Sequence, residues 1–235
     1  SSVVSFSGTA VGSVVMNMNS SGGATFSRGG VDGKASSASD AQVVTVSSIA
    51  TKTIAGSIDL TIVLTGAGTS GDDQIVLNTQ SGNSIEMRGS MGDGADHIVL
   101  KIPDEISGSS EVFNISLDTS GLTVSSDDKL VFDFEGAEDI VVLSSQSDID
   151  QFNTIEVSKG TADFRSITAK DGVTLIVNSG VQLSLNQFLS VDSVISSSGH
   201  GEIEIILASL ESIQDLIDQL DPDFINVGAD IKVKA

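Results

Sequence analysis

Apolar residues in this chain recur at every second position, in short runs divided by Gly, Asp, Asn and Ser. Val4 and Phe6 alternate with serines, and Val14, Met16 and Met18 repeat the alternation. A period of two predicts half-buried strands. Denser β-branched runs follow at Val43 to Val46 and Ile58 to Leu64, then at Val112 to Leu117, Leu122 to Val124 and Leu130 to Phe134. From Ile155 onward the runs shorten: Ile155 to Val157, Ala162 to Phe164, Val173 to Val177, Val181 to Leu185 and Val191 to Ile195, then Glu202 to Leu207. Turn signals at Lys159-Gly160, Asp171-Gly172 and Asn178-Ser179-Gly180 separate them. The period changes once. Leu210, Ile213, Leu216, Ile217 and Leu220 form a single stripe at helical spacing, with Ser209 as N-cap and Pro222 as stop. A last strand is expected over Ile225 to Val233.

The pattern predicts an all-β chain: a β-solenoid or β-helix-like stack, with a β-sandwich as the alternative, and one short C-terminal amphipathic helix. Two regions are expected, a Ser/Gly-rich β region over residues 1–150 and a short-strand region over 151–235 that ends in the helix and final strand. The helix reads as a cover for open sheet edges. The first and last strands read as elements that could pair with a neighbouring chain.

Charge narrows the partners. Acidic residues number 32 against 11 basic ones, a net charge of −21. That excludes the basic footprint of a nucleic-acid binder and disfavours docking on anionic lipid. No apolar run reaches membrane-spanning length, so no membrane insertion is expected. Cysteine is absent, which removes disulfides, thiolate zinc sites and thiol nucleophiles. The chain opens at Ser1 without a charged-then-apolar leader, which reads as a mature or trimmed form.

Candidate chemistry concentrates between Gly66 and Lys101. Gly71-Asp72-Asp73-Gln74-Ile75-Val76-Leu77 and Gly94-Ala95-Asp96-His97-Ile98-Val99-Leu100 both run a Gly/Asp turn straight into a β-branched strand. Gly82 to Met87 is a weaker echo, and Gly136-Ala137-Glu138-Asp139-Ile140-Val141-Val142-Leu143 is a looser copy. Aspartate in such a turn either bonds its own backbone or offers hard oxygen ligands to a cation. His97 and His200 read as a strand residue and a loop residue. No Gly-x-Ser-x-Gly elbow, His-Glu-x-x-His motif or P-loop occurs, and carboxylate pairs such as Asp127/Asp128 carry little weight in so acidic a chain. No enzyme is expected.

Met91 to Val99 and Gly68 to Val76 resemble the calcium-binding nonapeptide repeats of the RTX type, Gly-Gly-x-Gly-x-Asp-x-apolar-x. Each departs from the pattern at one glycine, replaced by Met91 and by Thr69 respectively. The resemblance implies calcium as cofactor, with Asp73 and Asp96 as ligands and Asp72 and Asp93 beside them. The surrounding Ser/Thr/Gly/Val-rich texture is similar to bacterial surface-layer proteins and exported adhesins. The expected function is a secreted, cell-surface structural subunit that forms a homo-oligomer or polymer such as a layer, sheath, tube or filament. The alternatives are a calcium-dependent adhesin or module binding cell-surface polysaccharide, and, further off, a polysaccharide lyase or epimerase.

Overall fold

The computed structural model describes residues 2–7, 14–18, 24–28, 43–48, 59–65, 72, 74–79, 81–82, 84–90, 93–102, 110–168, 170–197, 199–207 and 230–234. For residues before Leu77 other than Asp72, and for Asn78, it describes the backbone alone.

The strands are β1 (Ser2–Ser7), β2 (Val14–Met18), β3 (Ala24–Arg28), β4 (Val43–Ser48), β5 (Asp59–Thr65) and β6 (Gln74–Asn78). Then come β7 (Ser84–Ser90), β8 (His97–Ile102), β9 (Val112–Thr123), β10 (Lys129–Phe134), β11 (Ile140–Leu143) and β12 (Thr154–Lys159). The chain continues through β13 (Thr161–Asp163), β14 (Val173–Val177), β15 (Gly180–Ser184), the helix α1 (Leu185–Ser190), β16 (Val191–Ile195), β17 (Glu202–Ile206) and β18 (Asp230–Lys234).

From β4 to β17 these strands are dealt alternately to two sheets. One sheet has the order β1-β5-β7-β9-β11-β13-β15-β17-β18, the other β16-β14-β12-β10-β8-β6-β4-β2-β3. Every pairing is parallel except β2 with β3. A Gly/Asp turn therefore does not fold a strand back on its neighbour. It sends the chain to the other sheet, and each apolar run finds its partner one circuit later.

This architecture corrects the expected β-solenoid, β-helix-like stack or β-sandwich with one short C-terminal amphipathic helix. The described residues form two nearly all-parallel nine-stranded sheets, with consecutive strands set antiparallel at β2 and β3. The described helix is not C-terminal but sits between β15 and β16. It has six residues and a capping box, in which the Ser184 hydroxyl accepts from the Gln187 N–H and the Gln187 side chain accepts from the Ser184 N–H. The Leu210 to Leu220 stripe lies outside the described residues. Near residue 150, β10 pairs with β12 and β11 with β13.

Parallel register stacks like on like. Leu77, Leu100, Phe132, Val157 and Val177 form one column across β6, β8, β10, β12 and β14. Phe113, Val141, Ala162, Val181 and Ile203 form another across the opposite sheet. All ten are buried in one cluster that joins both sheets. Part of the cluster is aromatic: Phe132 lies 6.0 Å from Phe134 and 5.4 Å edge-on to Phe164, centroid to centroid.

Candidate functional site: acidic turns, a polar cleft and open edges

The turns that lead into β6, β8 and β10 share one rim. Their strands are in register, Gln74 beside His97 and His97 beside Lys129. The 23-residue separation of the two repeat copies is one circuit of the chain. Asp72 is exposed, and its Oδ1 accepts from the Ala95 N–H at 3.0 Å, so the two copies touch turn to turn. Asp93 is exposed on the same rim. Asp96 is fully buried; its N–H donates to Asp128 Oδ1 at 2.9 Å and its carbonyl accepts from the Lys129 N–H. Asp73 lies outside the described residues.

Asp128 is a heavily used carboxylate on this rim. Besides the Asp96 N–H it accepts from the Ser125 N–H at 2.6 Å and the Ser125 hydroxyl at 2.8 Å. It closes the turn that starts at Ser125 and reaches back one circuit to satisfy a buried donor. The other rim repeats the device. There Asp139 Oδ1 accepts from the Glu111 N–H at 3.2 Å; back on the first rim, in the segment between β11 and β12, the Ser147 hydroxyl accepts from the Leu117 N–H at 3.1 Å. Asp139 Oδ2 is buried without a hydrogen-bond partner and lies against Gly136, where a Cβ would stand 1.9 Å from it. Asp118, Asp148 and Asp163 each accept from the N–H two residues on, the Asx-turn bond. Asp163 also holds Arg165 in a fork, through Nε at 2.9 Å and Nη2 at 2.7 Å.

These carboxylates act on backbone donors. Among the described residues no three His, Asp or Glu side chains converge as ligands for a metal ion, whereas calcium takes about 6–8 oxygens. Asp72, Asp93 and Asp96 do not by themselves form such a cage. His97 is half-buried in β8 and His200 is exposed in the loop before β17. Asp128, Asp139 and Ser147 were not singled out in the sequence as functional, although Ser-x-x-Asp, Gly-x-x-Asp and Ser-x-x-Ser spacing is their signal.

Two hollows are lined by described residues. A small apolar one of about 60 Å³ lies among Ile155, Phe164, Ile167, Leu175, Leu183 and Val191. Asp150 stands at it; burial raises its carboxyl above the ordinary range, the Asp148 charge adds to this, and Lys170 opposes. A polar cleft of about 360 Å³ lies over the start of β13, β15 and β17, lined by Thr161, Asn178, Gln182, His200, Glu202 and Glu204 among others. Gln182 donates to Glu204 at 2.7 Å across it.

Among the described residues each sheet ends in strands with no partner on their outer side. In the first sheet these are β1 and β18; in the second, β3 and β16. Lys232 and Lys234 of β18 pair with Glu202 and Glu204 of β17, the former at 2.5 Å. Of the three large apolar side chains exposed among the described residues, Val233 lies on β18 and Ile195 on β16. These are the outermost strands of the two sheets at the same end.

No family model, curated protein or solved structure matches the chain. Among the described residues no helix is long and apolar enough to cross a membrane.

Proposed function

We propose that the protein is an extracellular structural subunit that self-assembles into a surface layer, sheath, tube or filament. One observation carries the reading. The two outermost strands of a nine-stranded parallel sheet, β1 and β18, have no partner on their outer side among the described residues. An open strand edge is a template for another chain. The test is a concentration series of the purified protein followed by light scattering and electron microscopy. Growth of ordered polymers supports the reading, and a monomer at every concentration overturns it.

Cations enter through charge. With 32 acidic residues against 11 basic ones, subunits repel at contact distances where monovalent salt screens poorly, below about 8 Å. Calcium bound at the exposed Asp72 and Asp93 would relieve that repulsion. Assembly that is indifferent to calcium and to chelator removes this part of the reading. The polar cleft favours a second reading, an adhesin or module that holds a surface polysaccharide. Saturable binding of a glycan by a monomer, measured by calorimetry, would support it.

A further inference from the structure

Taking the self-assembly reading as given, we infer the joint: β18 of one copy pairs in parallel with β1 of the next, head to tail, with Asp230–Lys234 beside Val3–Ser7. Direction comes first. Every pairing between β1 and β18 in their sheet is parallel. A second copy placed at the end of the first by translation, with the twist of the sheet, keeps that direction. Pairing an edge with itself about a two-fold axis sets the strands antiparallel. The translated joint is heterologous and open-ended, so it builds a filament rather than a closed dimer.

Register follows from the inward columns. Ile231 and Val233 are in register with Ile203 and Ile205, both fully buried. At the other edge Val4 and Phe6 are in register with Ile62 and Leu64, and Ile62 with the fully buried Met87. Setting Ile231 beside Val4 and Val233 beside Phe6 places apolar positions beside apolar positions across the joint. A slip of one residue would turn every apolar position to the wrong face.

The chemistry of the C-terminal end agrees. Val233 and Ile195 are 44% and 48% exposed on the outer strands of the two sheets, and a second copy would cover them. Lysines on an edge strand normally guard it against pairing. Here Lys232 and Lys234 are tied back to Glu202 and Glu204 of their own sheet, so their charge is already met.

The chain has no cysteine, so introduced thiols report the joint without background. In the inferred register Ser5 lies beside Lys232, with strands about 4.8 Å apart, inside the span of a disulfide. Full-length Ser5→Cys and Lys232→Cys variants, each checked for native circular dichroism, are mixed, allowed to assemble and oxidised. The expected product is a covalent dimer containing one chain of each variant, with the double variant giving a ladder of multimers. Polymers that form without the mixed disulfide, or that link Ser5→Cys to itself or Lys232→Cys to itself, overturn the joint and leave the assembly reading standing. Wild-type protein that forms no polymer overturns both.

Discussion

The turn Ser125–Asp128 leads into β10 on one rim, and the turn Gly136–Asp139 leads into β11 on the other. Each ends on a buried aspartate whose Oδ1 takes the N–H of a residue one circuit earlier, Asp96 in the first case and Glu111 in the second. The second carboxylate oxygen separates them. In Asp128 it accepts from the Ser125 N–H at 2.6 Å; in Asp139 it lies against Gly136 with no partner. The Oδ2 bond of the first turn comes from the Ser125 backbone N–H and not from its side chain. The serine hydroxyl adds a further bond to Oδ1, for which Gly136 has no counterpart. The same four-residue frame is thus fully bonded on one rim and carries a buried, half-satisfied charge on the other.

The largest effect is expected at the satisfied turn. Asp128→Ala leaves the Asp96 and Ser125 N–H groups without their acceptor and should cost about 3 kcal/mol, measured by urea unfolding. A cost below about 1 kcal/mol would mean that water replaces the carboxylate and that the rims do not differ. Next is Gly136→Ala, whose Cβ would stand 1.9 Å from Asp139 Oδ2. Overpacking of this kind should cost about 2 kcal/mol, and adding Asp139→Ala should recover part of it, giving a non-additive cycle. Sharper still is the pair of asparagine variants. Asp139→Asn keeps an oxygen for Glu111 and removes a poorly satisfied charge, so it should change stability by less than about 1 kcal/mol. Asp128→Asn sets an amide N–H against the Ser125 N–H and should cost more. Equal losses at the two sites would break the comparison.

The smallest effect is a pH dependence at Asp150. Its carboxyl is raised by burial and by Asp148, against Lys170. Between the unfolded value, about 3.9, and the raised folded one, the folded chain binds more protons, so stability falls as pH rises through that window. Asp150→Asn should therefore melt slightly higher than wild type at neutral pH. The advantage should vanish below the unfolded value, which scanning calorimetry across pH would show.

Strand positions were largely legible in the sequence, because period-two runs such as Ile155 to Val157 and Val173 to Val177 are bounded by Gly and Asp. Pairing was not. Val112 to Leu117 and Leu122 to Val124 read as two strands but form the single β9, whose first half pairs with β11 and whose second half with β7. Between the two runs, Gly121 is a close approach to the neighbouring strand: a Cβ there would lie 2.8 Å from Arg88 Cγ. Helix α1 was missed because its six residues are too few to show a stripe, although the Ser184-x-x-Gln187 capping signal was present. Of the candidate ligands, Asp72 and Asp96 do fall on one rim, since the repeat spacing equals one circuit. The roles of Asp128 and Asp139 depend on donors 32 and 28 residues away, a separation that no local pattern encodes.

The placement of β1 and β18 at opposite edges of one sheet has a mechanical consequence. Tension applied between them runs along the inter-strand hydrogen bonds and puts every row in series under the same load. Strands then peel from the edges in order, each releasing the length of chain in its circuit, instead of the whole sheet shearing at once. Edge rows open most readily, so the molecule yields in small steps and absorbs work while its aromatic centre around Phe132 stays closed.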